Sequence, residues 1–243
     1  VTDLLIDQIE FADVIVLNKL DLVNDQQALE VEAIIHALNP GAEIIPTTQS
    51  KVPLERVLNT QLFDYEKAEA SAGWIRELQG EHTPETEEYG ISNFTYKTSQ
   101  PFDADRLDAF FTDKDNWKGI LRSKGFFWVA AGHRIAYEWA QAGGVNSVKP
   151  VGFWWSSMPS DKWDIPDGER PDQQPDWHEV FGDRKQMLVF IGQEMDEEKI
   201  RARLDACLLD EESANGGIES WNQFDNPFPP LEPAVEASAE SEQ

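Results

Sequence analysis

The chain has 243 residues, 40% of them hydrophobic, including 13 Phe, 9 Trp and 4 Tyr, enough apolar mass for one large domain or two small ones. Its 46 acidic and 20 basic residues give a formal charge of −26, which argues against nucleic acid and anionic membranes, both gripped by clustered Lys and Arg. No apolar run approaches the roughly 20 residues that span a bilayer, no signal-peptide pattern opens the chain, and a lone Cys207 excludes an internal disulfide framework and a cysteine-only zinc site, so a cytoplasmic protein is expected.

Thr2 to Glu10 carries Leu4, Leu5, Ile6 and Ile9 at helical spacing. Phe11-Ala12-Asp13-Val14-Ile15-Val16-Leu17 is then an almost continuous apolar run, suited to a strand covered on both faces. A helix leading into such a strand calls for earlier flanking strands, so the chain is expected to be a fragment or an N-terminally trimmed product. Asn24 and Asp25 are N-cap candidates for a helix whose Val31, Ile34, Ile35 and Leu38 form one apolar face, and Asn39-Pro40-Gly41 stops it. Glu43-Ile44-Ile45 reads as a strand, and Ser50 with Pro53 is expected to open a second helix through Leu54, Val57 and Leu58. Residues 1–65 therefore read as the last part of an α/β nucleotide-binding domain.

From 66 to 90 the composition shifts to a helix and an acidic linker containing Glu81, Glu85, Glu87 and Glu88. A second unit over 91–210 follows, with strands around Phe94 and Tyr96, Gly125 to Ala130, Ile135 to Trp139, Val151 to Trp155 and Met187 to Ile191. Helices fall at Leu107, Phe110 and Phe111, and after Asp196 with Ile200, Leu204, Cys207 and Leu208 on one side. The order β-α-β-β-β-β-α predicts an α+β domain, an antiparallel sheet with helices on one face. Two stretches resist a folded reading. Ser156 to Arg184 holds eight acidic and three basic residues, and the tail Glu211 to Gln243 holds eight acidic and none basic, so together they carry half of the net charge. The last dozen residues are expected to be disordered.

Asn18-Lys19-Leu20-Asp21 sits at the carboxyl end of the first strand, the edge where open α/β sheets bind ligands. The pattern resembles the guanine-recognition motif of P-loop GTPases. An ionised Asp accepts two hydrogen bonds at once from guanine N1–H and its amino group, whereas adenine offers no such pair. The Lys stem can cover the base, and the Asn amide can tie the loop to it. A polar turn between strand and helix is the alternative. Thr47-Thr48-Gln49-Ser50 stands where such proteins offer a backbone N–H to the base, and a plain turn explains it equally well. The chain contains no Gly-x-x-x-x-Gly-Lys-Ser/Thr and no Gly-Lys dipeptide, so it holds no phosphate cradle and is not expected to hydrolyse GTP by itself.

Further blocks follow in order: His82-Thr83-Pro84-Glu85-Thr86-Glu87-Glu88-Tyr89-Gly90-Ile91, Arg122-Ser123-Lys124-Gly125-Phe126-Phe127-Trp128, Gly152-Phe153-Trp154-Trp155, Gly182-Asp183-Arg184-Lys185-Gln186, Val189-Phe190-Ile191-Gly192 and Cys207-Leu208-Leu209. With Asn-Lys-x-Asp they resemble the C-terminal half of a CobW-like GTPase, in the branch associated with zinc homeostasis, from residue 1 to about 228. The resemblance implies an α/β remnant of a P-loop GTPase domain followed by the CobW C-terminal domain. It also implies a GTP-dependent metallochaperone that handles zinc, with Mg²⁺ at the nucleotide and a metal-receiving client protein as partner. The family's Cys-x-Cys-Cys metal motif and P-loop are not in this chain, so only Asn18, Lys19 and Asp21 carry over, as nucleotide contacts. A non-catalytic interaction module built on the Trp-rich sheet, and an acidic metal buffer, are the alternatives.

Four histidines complete the candidates. His178 lies between Asp176 and Glu179 with Asp183 nearby, and His82 precedes an acidic run; an auxiliary zinc site and a solvated loop both describe that pattern, and the lack of a tight ligand spacing favours the loop. His36 on a helix and His133 at a strand end read as ordinary. Arg122, Lys124 and Arg184 suit either nucleotide phosphate, an acidic interdomain surface or structural ion pairs. Trp128, Trp154 and Trp155 read as sheet core, and Cys207 as a small buried hydrophobe.

Overall fold

The computed structural model describes residues 2–63, 90–166 and 168–231. The expected helix and acidic linker over 66–90, with His82, lie outside the described residues apart from Gly90 at the end, as does the last dozen.

The first region consists of α1 (Thr2–Glu10), β1 (Val14–Leu17), α2 (Asp25–Leu38) and β2 (Glu43–Pro46). Asn24 caps α2 through a reciprocal pair: its side chain accepts from the Gln27 N–H, and the Gln27 side chain accepts from the Asn24 N–H at 3.1 Å. Asn39 ends the helix. β1 and β2 are parallel, with Val14 opposite Glu43 and Leu17 opposite Pro46. The expectation that β1 is covered on both faces is not met by these residues: Val16 is 40% exposed and no β1 residue is buried. The helix expected through Leu54, Val57 and Leu58 is a single 3₁₀ turn, Leu54–Arg56. Leu54 and Leu58 face solvent, and Ser50, Asn59 and Gln61 take left-handed backbone that a helix cannot include.

The second region is a five-stranded antiparallel sheet in the order β3-β7-β4-β5-β6, formed by β3 (Ile91–Thr98), β4 (Ile120–Phe127), β5 (Ile135–Ala142), β6 (Val145–Phe153) and β7 (Gln186–Gln193). Helices α3 (Ala104–Thr112) and α4 (Glu197–Asp205) lie on one face, each capped by an aspartate, Asp103 and Asp196. The fold is thus a small parallel α/β layer followed by an α+β domain with its own helices on one face. Period-2 alternation explains the packing. Phe94 and Tyr96, Phe127, Tyr137 and Trp139, and Leu188 and Phe190 meet Leu107, Phe110 and Phe111 from α3 and Ile200 and Leu204 from α4. Trp139 sits at the centre, 4.5 Å from Phe111 and 5.8 Å from Phe190, with its indole N–H donating to Ser123 Oγ. Gly125, at φ 151°, allows β7 to pass closely, since a Cβ there would fall on the Met187 carbonyl.

The opposite face of the sheet is covered in part by the first region. Ala33, Ile34 and Ala37 of α2 pack on Ile91, Val189 and Ile191, and Gln193 Nε2 donates to Glu30 Oε1 at 2.8 Å.

Both stretches set aside as unfolded are structured where described. Between β6 and β7 the chain makes 3₁₀ turns at Trp155–Ser157, Ser160–Lys162 and Pro171–Gln173, and a two-bond closure between His178 and Gly182. The Asp183 carboxylate accepts from the Trp155 and Ser156 N–H groups and the Ser156 hydroxyl, which pins the loop's two ends together. After Asp210 the chain forms α5 (Glu211–Asn215) and α6 (Gly217–Trp221), buries Trp221 beside Trp128 and Phe181, and inserts Phe228 among Phe111, Phe127 and Tyr137. No helix among the described residues is long and apolar enough to cross a membrane.

Candidate functional site

Parallel pairing of β1 and β2 places two loops side by side at their carboxyl ends, residues 18–22 and 47–51. The Thr47 N–H donates to the Leu17 carbonyl at 2.9 Å, and the Leu20 N–H returns to the Thr47 carbonyl at 3.3 Å. Asn18 fastens the loops more firmly: its Nδ2 donates to Ser50 Oγ at 2.8 Å while its Oδ1 accepts from the Ser50 N–H at 3.0 Å. Ser50 is held in left-handed backbone, φ 54°, so the seat for Asn18 is built by the turn. Thr47, almost fully buried, donates its hydroxyl to the Lys51 carbonyl and closes the second loop.

Lys19 takes a left-handed conformation, φ 68° and ψ 33°, uncommon for a lysine, and this turns the chain into the 3₁₀ segment Leu20–Leu22. Asp21 lies in that segment. The Lys19 and Asp21 side chains are exposed and make no hydrogen bond or ion pair with the described residues. The three expected contact residues are therefore in one corner, with Asn18 spent on fixing the corner and a lysine and a carboxylate left available. The sequence left 47–50 open between a base-contacting loop and a plain turn; that Ser50 is the partner of Asn18 follows from the strand pairing.

Behind this corner, α1 is anchored from both sides. Asn39, 1% exposed, donates to the carbonyls of Ile9 and Ala12, both at 2.8 Å, and accepts from the Gly41 N–H. On the other side Arg122 of β4 reaches out of the sheet: Nε donates to Glu10 Oε1 at 2.9 Å and Nη2 to Asp7 Oδ1 at 3.0 Å. Glu10 is 0% and Arg122 1% exposed. Burial raises the Glu10 carboxyl above the ordinary carboxylate range, opposed by the adjacent Arg122. Of the partners open to Arg122 from sequence, it makes structural ion pairs, with Glu10 and Asp7 of the first region; Lys124 stands 4.0 Å from Glu138.

The other candidates are occupied by structure. His178 Nδ1 accepts from the Val180 and Phe181 N–H groups, and its ring stacks on Phe181 at 4.4 Å. His133 is lowered below the ordinary histidine value, first by burial and then by Arg184. The Arg184 guanidinium lies 5.5 Å from the Trp128 ring and 5.6 Å from Trp221, donates to the carbonyls of His133 and Phe181, and is lowered by burial to about 10. Trp128 and Trp154 are core, as expected, whereas Trp155 is 38% exposed and stacks edge-on with Trp163. Cys207 is buried, which pushes its thiol up to about 11. Among the described residues no three His, Cys, Asp or Glu side chains are grouped to hold a metal ion.

Comparison with known proteins places these two regions. The family described as CobW/HypB/UreG, nucleotide-binding domain, matches residues 1–46, and the cobalamin synthesis protein cobW C-terminal domain matches residues 91–208. The zinc-regulated GTPase metalloprotein activator 1 of Dictyostelium discoideum is 39% identical over 228 residues, covering 93% of this chain; the chain spans 48% of that relative's length. Among solved structures, the Zn(II)-bound YjiA GTPase from E. coli aligns with 19% identity and a TM-score of 0.42, over 84% of this chain and 54% of that one. A triple mutant of the same GTPase aligns at 18% and 0.41 with the same coverage. With a CobW/HypB/UreG nucleotide-binding match at its start and the cobW C-terminal match over its five-stranded sheet, the chain is similar to CobW-like GTPases in both of its regions.

Proposed function

We propose that this chain supplies the guanine-reading corner and the C-terminal sheet of a GTP-dependent zinc metallochaperone. The observation that carries the reading is the Asn18–Ser50 lock, which holds the Lys19-Leu20-Asp21 turn at the strand edge and leaves the Asp21 carboxylate without a partner among the described residues. In this reading Asp21 accepts the paired donors of guanine, N1–H and the exocyclic amino group. Adenine would leave the carboxylate facing an acceptor, a loss on the order of 1–3 kcal/mol. Lys19 lays its aliphatic stem along the base, and Asn18 acts by positioning the turn. Phosphate binding, with Mg²⁺, is outside these residues, because the chain holds no Gly-x-x-x-x-Gly-Lys-Ser/Thr. Zinc is cargo in this reading, and the described residues do not fit a site for it. A metal-receiving client protein and a cytoplasmic setting belong to the same reading and rest on the similarity to cobW proteins and the relative's name.

Saturation-transfer NMR with GDP and ADP at millimolar concentration tests the corner on this chain. The native chain should favour GDP, and Asp21→Asn should cost about tenfold or more of that preference while leaving the fold intact. Equal signals from the two nucleotides on the native chain would remove the assignment.

A further inference from the structure

We propose that Arg122, on the C-terminal sheet, is a positioning residue for the base-reading corner, a role that rests on the guanine assignment above. The route is short and has little slack. Glu10 closes α1, only Phe11, Ala12 and Asp13 separate it from β1, and β1 ends at Leu17, next to Asn18. Asn39 grips the carbonyls of Ile9 and Ala12 on either side of that link. The Glu43 N–H donates to the Asp13 carbonyl at 2.9 Å, tying the link to β2 as well. A shift of Glu10 is therefore passed to β1 and to the Asn18–Ser50 lock.

Arg122 fixes Glu10 by direction as well as charge. Its guanidinium spans Glu10 and Asp7, one turn apart on α1, through Nε and Nη2, and Nη2 also approaches Glu10 Oε2 at 3.4 Å. Such a fork sets the rotation of α1 about its axis, which a single apolar contact would not. Nη1 also approaches the Gln141 carbonyl at 3.4 Å, so the arginine is itself oriented by β5. The second attachment of the first region, α2 on Ile91, Val189 and Ile191 with the Gln193–Glu30 bond, does not involve Arg122. Loss of the arginine should therefore displace α1 and β1 while α2 stays docked. The consequence is that Arg122 links the state of the C-terminal sheet to the quality of base reading along a route separate from α2.

The test uses Arg122→Met, Glu10→Gln and the double variant of this chain, with amide hydrogen exchange over 14–22 and 43–51 and the GDP-over-ADP preference as readouts. Arg122→Met should speed exchange over 14–22 by about tenfold or more, with β5 amides and tryptophan emission unchanged, and should abolish the preference. Adding Glu10→Gln removes the unpaired buried charge and should restore stability without restoring the preference. If the preference returns together with stability, Arg122 only neutralises Glu10 and the positioning role is overturned. Unchanged exchange and preference in Arg122→Met overturn it equally, and should that variant not fold, the double variant carries the same comparison. A native chain with no preference for GDP defeats the guanine assignment instead, and the exchange over 14–22 still judges the clamp.

Discussion

The two regions of this chain bury different things. The five-stranded unit has a deep aromatic and aliphatic core in which Phe127, Tyr137, Trp139, Leu188 and Phe190 are all 0% exposed. The first region leaves Leu5, Phe11, Val16, Leu22, Leu29, Val31, Leu54 and Leu58 exposed, and its most buried side chains include the polar Glu10 and Asn39. Ala37 is buried against the sheet, and Glu10 against Arg122. Within these residues the half that holds the candidate site is tied to the half that does not by an apolar contact region and a buried ion pair.

That tie is open to attack from the core outward. Trp139→Ala should cost about 3–5 kcal/mol, the loss of a large buried aromatic and its cavity. Denaturation followed by tryptophan emission reports the second region and the segment joining the two, since all 9 tryptophans lie beyond residue 63. Exchange over 14–51 should lose protection in parallel; a corner that stayed protected would show that the first region stands alone. A smaller and more local effect is expected from Asn39→Ala. It removes a donor from the Ile9 and Ala12 carbonyls at the end of α1 and the acceptor of the Gly41 N–H after α2, a cost of about 1–3 kcal/mol. Exchange over residues 9–18 should rise with tryptophan emission unmoved, and a matching shift in both would make the regions one cooperative unit.

The mildest test is pH. His133 has a folded value below its ordinary 6.5, so the folded state prefers the neutral ring. Its contribution is complete above the unfolded value and is lost as pH falls from there toward the folded value, because the unfolded chain takes up the proton first. Urea midpoints read between pH 7 and 5.5 should fall, and His133→Gln should flatten that fall. The change should appear in tryptophan emission, since His133 lies against Arg184 and Trp221. A slope unaltered by the substitution would remove His133 as its source.

Much of both regions was legible because alternation and helical spacing are local signals. The strand and helix order, the Asn24 and Asp196 caps and the stop at Asn39 were all written in neighbouring residues. The helix expected after Ser50 failed for want of a surface to cover: Leu54 and Leu58 have the spacing but stay exposed among the described residues. The acidic loop and the start of the tail failed in the other direction. Isolated Trp221 and Phe228 among acidic residues show no period, yet each fills a place that distant strands leave open, beside Trp128 and beside Phe127. Arg184 likewise was expected to meet a phosphate or a carboxylate, and its environment is two indole faces and two carbonyls.

The sequence by itself determined the corner's chemistry: an apolar strand followed at once by Asn18-Lys19-Leu20-Asp21 fixes which groups stand at the strand's end, since those residues are covalent neighbours. Only the tertiary structure decided what holds that corner. Ser50 comes to Asn18 across 32 residues and Arg122 to Glu10 across 112. At such separations a hydrogen-bond partner is selected by how sheets and helices pack, and no local pattern in the chain encodes it.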